Sequence, residues 1–487
     1  MKAKATKKYL IIIAILTAAA TALALTSCKS GGSSSNSGAS SSSSQSASQD
    51  ETKAETTAAA TTSAASKKLA ESDIKINDTI ENSADGEHAI TADGETKTIS
   101  NTLVTKTGEA DGDEADFYGE NSAIFATNGG TLNLSDMVVK TDGTHANAVF
   151  SYGEGTTVNI SNSYIETSGN CSGGLMTTGG GTMNAENLTI TTSGNSSAAI
   201  RSDRGGGTVT VTGGDYTTSG KGSPVIYSTA DITVNDATMT STASQGVVVE
   251  GKNSVTLNNV NLTADNNTKN SDKSSYYQAV MIYQSMSGDA AQGKSSFTMN
   301  GGTLTNKNGD VFFVNNTATD INLSNAEIIN NGDGIFLRAA AAGWGSEGSN
   351  GGQVTLNAAN QTINGDMIVD SVSNLNLYLK SGSAFTGAIN SDGQAGEVYV
   401  EIEDGSTWTL TGDSYITSLT CGTGAIKLNG HKLYVNGKEY TEGTASTGTA
   451  IEVKSTGGSG EPDSPPDGKP GENGGSGGTP PAKPGEN

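Results

Sequence analysis

The chain has 487 residues, 51 acidic against 28 basic for a net charge of −23, and only 33% hydrophobic and 5% aromatic residues beside 64 glycines. Such acidity argues against nucleic acid or an anionic lipid surface as a partner, and the composition is too polar for an ordinary α/β enzyme core. It suits a narrow β coil in which one side chain in two points inward and each corner needs a turn.

In chain order, Lys2, Lys4, Lys7 and Lys8 precede an apolar run from Tyr9 to Leu25 that ends in Leu25-Thr26-Ser27-Cys28. A basic start, a short apolar run and small residues before a cut form a secretory signal over residues 1–27. Leu25-Thr26-Ser27-Cys28 resembles the lipobox of bacterial lipoproteins, and the resemblance implies that Cys28 is lipidated and becomes the new N-terminus. A membrane partner follows through that lipid, on the extracytoplasmic face. An uncleaved spanning helix is the weaker alternative, because about 20 apolar residues are needed to cross. Residues 28–72 are rich in Ser, Ala, Thr and Gly and read as a disordered tether.

Residues 73–454 hold the fold. Glu109-Ala-Asp111-Gly-Asp113-Glu114-Ala-Asp116 is an acidic loop just before the regular coils. Hard oxygen donors at Asp111, Asp113 and Asp116 make calcium the candidate ion, against a solvated acidic cap, although the distal Glu of a full calcium loop is absent.

A phrase then recurs about every 25 residues: Thr131-Leu-Asn-Leu134, Thr157-Val-Asn-Ile160, Thr182-Met-Asn-Ala185, Thr208-Val-Thr-Val211, and onward to Val354-Thr-Leu356. A fixed period of this size, with β-formers alternating with Thr and Asn, is the mark of a solenoid whose core arises from stacking neighbours. Each coil contains three segments. In one coil they are Ala146–Phe150, Thr157–Ile160 and Tyr164–Thr167. Two residues after the last inward residue of the second segment come Asp136, Asn162, Asn187, Gly213, Asp236, Asn259, Gly301 and Asn325. All tolerate a left-handed corner, so this ladder is structural. The fold class is therefore all-β, a single-stranded right-handed parallel β-helix of about 13 coils and about 60 Å at one strand spacing per coil.

Insertions break the period at about 265–275, 285–295 and 339–352. The second and third leave the same corner two coils apart, after Val280–Tyr283 and Ile335–Arg338. These loops carry or adjoin Tyr276, Tyr277, Tyr283, Arg338 and Trp344. A Trp inside a Gly/Ser loop is a poor core candidate, and exposed rings on a rigid scaffold suit sugar stacking. The competing reading is that the rings only cover the loop bases.

The closing segments include Ser406-Thr-Trp408-Thr-Leu-Thr-Gly412-Asp-Ser414-Tyr-Ile-Thr-Ser-Leu419, which is similar to the final coils of autotransporter and adhesin passenger domains. With residues 121–360 it makes the chain resemble bacterial β-helical surface lipoproteins and adhesin-like proteins on the pectin-lyase type of solenoid. That fold carries both lyases and non-enzymatic binders. The lyases of the fold use an Arg or Lys base beside Asp-bound calcium. Arg201-Ser-Asp203-Arg204 alone mixes those residue types, and a surface salt bridge is the plainer expectation for it. His88, His145 and His431 are dispersed and give neither zinc-ligand spacing nor a Ser-His-Asp pattern. Cys171 and Cys421 stand about ten coils apart, roughly 45 Å, too far for a disulfide at a ~7 Å limit. Residues 455–487 are a Gly/Pro-rich tail.

The reading is a monomeric, non-enzymatic, lipid-anchored surface protein that binds a glycan or another surface ligand, with no catalytic residues assigned and no cofactor beyond calcium. A polysaccharide lyase or hydrolase, and a passive spacer, are the alternatives.

Overall fold

A computed structural model describes residues 68–453 apart from 270, 394 and 395. Cys28, the secretory segment, most of the tether and the tail lie outside the described residues.

The chain winds as a parallel β-helix with three faces, named here by the three segments of each coil. The first face is an 11-stranded sheet, the second a 13-stranded sheet and the third a 10-stranded sheet. The 13 strands of the second face match the coil number read from the period. Register follows the repeat residue for residue: Thr157–Ser161 pairs in parallel with Thr131–Ser135 below and with Gly181–Glu186 above. Alternation explains the burial. Leu132, Val158, Met183 and Val209 face inward with essentially no exposure, while the Thr and Asn between them face out. Truncating such an inward residue costs about 2–5 kcal/mol, because coils on both sides keep the cavity open.

All eight ladder residues have positive φ, from 47° at Asn162 to 70° at Gly213. The Asn187 amide donates to Asn162 Oδ1 at 2.8 Å, so the side chains also stitch successive coils. At the corner between the third and first faces, glycines stack instead. A Cβ at Gly194 would lie 1.8 Å from the Gly169 carbonyl oxygen, which excludes any other residue there.

Two departures from regular coiling matter for function. Residues 113–118 form a short helix, α1 (Asp113–Tyr118). Insertions follow strands Gln278–Tyr283 and Ile335–Ala339 of the first face, and another precedes Gln278. At the N-terminal edge of the described residues, Glu71–Asp73 is a 3-10 turn whose Glu71 pairs with Lys140 at 2.8 Å. Near the other end, Trp408 is fully buried and stacks on Phe385 at 5.6 Å.

Candidate functional site: the outer surface of the first face

On the second face the outward positions are mostly Thr and Asn. On the first face they are not. One outward row runs Phe125, Phe150, Met176 and Arg201, then Tyr227, Val248, Met281, Phe313 and Arg338. Apolar side chains on an outer surface must be covered, and here α1 and the inserted loops supply the cover. Gly119, just after α1, lies against the Phe150 and Phe125 rings, and Thr178 Oγ1 donates to the Phe117 carbonyl at 2.7 Å.

Arg201, expected in a surface salt bridge, is instead drawn into a buried network beneath α1. Its Nη2 donates to Asp116 Oδ2 at 2.9 Å and to Asp203 Oδ2 at 3.1 Å, while Nη1 is buried and has no hydrogen-bond partner. Burial pushes the Asp116 carboxyl up, but the Arg201 guanidinium and the His145 hydrogen bond outweigh it and hold the group below the usual carboxylate range. Asp203 fares differently. Burial raises it, Arg201 opposes only in part, and repulsion from Asp289 adds, so it is pushed up to about 7. One guanidinium between two buried carboxyls can compensate one of them fully, and Asp116 is that one. Arg204 ion-pairs with Asp289 at 3.0 Å and lies 3.7 Å over the Phe117 ring.

Two of the three acidic residues singled out for calcium, Asp111 and Asp116, take different places. Asp111 is exposed, whereas Asp116 is buried on α1 and turned toward Arg201 and His145. A His145 ring nitrogen and the Cys171 sulfur lie near its carboxylate.

Farther along the face lies a cavity of about 300 Å³. Val248, Met281, Tyr227 and Tyr283 line it, with Tyr276 and Trp344 from the inserted loops, and Lys269 and Lys273 also contribute. The sequence-derived residues Tyr276, Tyr283, Arg338 and Trp344 thus come into one cluster. The Tyr283 and Trp344 rings meet edge-on at 5.1 Å. Arg338 lies 4.0 Å over Tyr276 and ion-pairs with the buried Asp310 at 2.7 Å. Tyr277 stands apart, its ring beneath Lys269 at 4.7 Å. Tyr283 is only 8% exposed, so it backs Trp344 rather than offering an open stacking surface. Its hydroxyl lies 3.2 Å from that of Tyr227, which donates to the buried Glu250 carboxylate. Burial raises Glu250, more than the Ser285 N–H and the Tyr227 hydroxyl lower it.

Two side chains that the sequence reading missed complete this cavity. Asn266 and Gln278 are each 2% exposed, and Asn266 Oδ1 and Gln278 Oε1 have no hydrogen-bond partner within the protein. Gly222, Pro224 and Tyr227 also border an adjoining compartment of about 200 Å³ that contains Arg201, Asp203 and Asp289. A larger trough of about 600 Å³ crosses the second face over Asn133, Asn159 and Asn184. Those amides bond one another along the stack at 2.9 Å. The trough is shallow and its asparagine amides already bond one another, so the first face is the better candidate.

No protein-family model matches this chain, and no curated protein or solved structure shows significant similarity to it.

Proposed function

We propose that this is an extracytoplasmic, lipid-anchored β-helical protein that binds a glycan in the cavity on its first face, without chemical turnover. The observation that carries the reading is the pairing of ring surface with unsatisfied acceptors. Trp344 and Tyr276 border a cavity that Asn266 and Gln278 also line, and the side-chain oxygens of these two amides are buried without partners in the protein. A buried acceptor without a donor costs about 1–3 kcal/mol, and sugar hydroxyls are donors that also bring C–H faces to aromatic rings. The anchoring part of the reading rests on Leu25-Thr26-Ser27-Cys28 alone.

A second reading, cleavage of the bound polysaccharide, has one observation in its favour. Asp203, in the adjoining compartment, is pushed up to about 7 and so can hold a proton near neutral pH, as a general acid must. A glycan array probed with the protein separates the readings. The expected result is a defined set of bound glycans recovered intact, with affinity falling about fivefold in Trp344→Ala for a ring worth about 1 kcal/mol. Binding unchanged in Trp344→Ala, or no glycan bound, refutes the proposal. Release of new sugar ends from a bound glycan moves the protein to the second reading.

A further inference from the structure

His145 and Cys171 sit 26 residues apart, one coil period, and occupy the same corner position in successive coils. Both have left-handed backbone, with φ of 56° and 54°. Both also bond the next coil in the same way, His145 N–H to Asn170 O and Cys171 N–H to Asn195 O. Stacking therefore sets the imidazole beside the thiol. Asp116 reaches the same point from α1, its Oδ1 2.9 Å from His145 Nδ1. One donor atom from each of the three residues lies within 4.8 Å of the other two, the single such group among the described residues.

We infer that Asp116, His145 and Cys171 form a binding site for one zinc-class divalent cation. The donor set is one oxygen, one nitrogen and one sulfur, which suits zinc and disfavours calcium or magnesium. Three protein ligands leave a fourth position for water or another ligand. Asp116 has the supporting contact that a ligating carboxylate needs. Arg201 holds Oδ2 at 2.9 Å, fixing the group's orientation and leaving Oδ1 on the side of His145, and outer contacts of this kind orient metal ligands. His145 and Asp116 are buried and Cys171 is half-buried, so the ion would enter past the sulfur. As the sulfur–metal bond forms, the thiol proton leaves to solvent. The site is separate from the aromatic cavity and does not depend on the glycan reading.

The test is cobalt substitution in the full chain carrying Cys28→Ser and Cys421→Ser, which leaves Cys171 as its one thiol among the three cysteines of the sequence. One equivalent of Co²⁺ is expected to produce a thiolate-to-metal charge-transfer band and strong tetrahedral d–d absorption, both displaced by Zn²⁺. His145→Ala, and separately Asp116→Asn, should abolish or sharply weaken the bands. Circular dichroism confirms that each variant keeps its β fold. Zn²⁺ should raise the unfolding temperature of the parent and not that of a further Cys171→Ser variant. Absence of a charge-transfer band in the parent overturns the proposal. So does a band of undiminished strength in folded His145→Ala and Asp116→Asn.

Discussion

Replacing Arg201 with methionine should destabilise the middle coils, and in a pH-dependent way. The guanidinium bridges Asp116 and Asp203 at 2.9 and 3.1 Å, and the side chains of these acids are only 10% and 7% exposed. Methionine fills similar space but leaves Asp116 as a buried carboxylate with only His145 beside it. Breaking one side of a buried ion pair costs about 3–5 kcal/mol. Asp203 adds little, since with its value pushed up to about 7 it can take a proton instead. In the wild type Asp116 is depressed, so its contribution is present above the ordinary carboxylate range and lost as pH falls through its folded value. Without Arg201, burial is opposed only by His145 and raises Asp116, so the variant loses stability as pH rises. The gap between variant and wild type should therefore widen from about pH 4 to pH 7. Adding Asp116→Asn to the variant should recover most of the loss, because a neutral amide needs no counter-charge. A solenoid's stability is a sum of local units, so the assay is hydrogen exchange read coil by coil around Leu175–Thr178, Ile200–Ser202 and Ile226–Ser228. A loss under about 1 kcal/mol, well below the cost of an uncompensated buried charge, would refute the reasoning. So would a double variant no better than the single one.

Asp203→Asn should flatten the pH dependence of stability. A carboxyl raised from its ordinary value to about 7 makes the folded state bind the extra proton, so wild-type stability falls across that window at about 1.4 kcal/mol per pH unit. Thermal midpoints from pH 4 to 7 in both proteins check this, and identical slopes would rule it out. Cys28→Ala should abolish fatty-acid labelling in cells and either release the protein or leave an unprocessed precursor. Equal label in wild type and variant would end the lipoprotein reading.

The candidate site was legible only in part. Tyr276, Tyr283, Arg338 and Trp344 could be singled out because they interrupt a regular pattern, and insertions at one corner of nearby coils project from the same region. Their burial could not be read, because it depends on how the loops lie over the face: Tyr283 is covered by Trp344, and Tyr277 went to Lys269. Asn266 and Gln278 gave no signal, being ordinary polar residues until folding sealed them. The outward row from Phe125 to Arg338 did carry one, since apolar residues at positions that other faces give to Thr and Asn call for a cover. His145 and Cys171 also carried one, through their spacing of a single coil period.

The β-helix itself was determined by the sequence. Alternating inward residues, left-handed corners such as Asn162 and Asn187, and the 25-residue period each act over a few residues or one coil, and each repeats. Every rung thus states the same answer locally, and stacking adds the core. Tertiary structure alone decided what covers the first face. The fold of residues 113–118 as α1, the burial of Arg201 between Asp116 and Asp203, and the meeting of Tyr283 with Trp344 at 5.1 Å depend on contacts across several coils. Such contacts exist only once the solenoid provides a surface to fold upon, and nothing in the short-range pattern of residues encodes them.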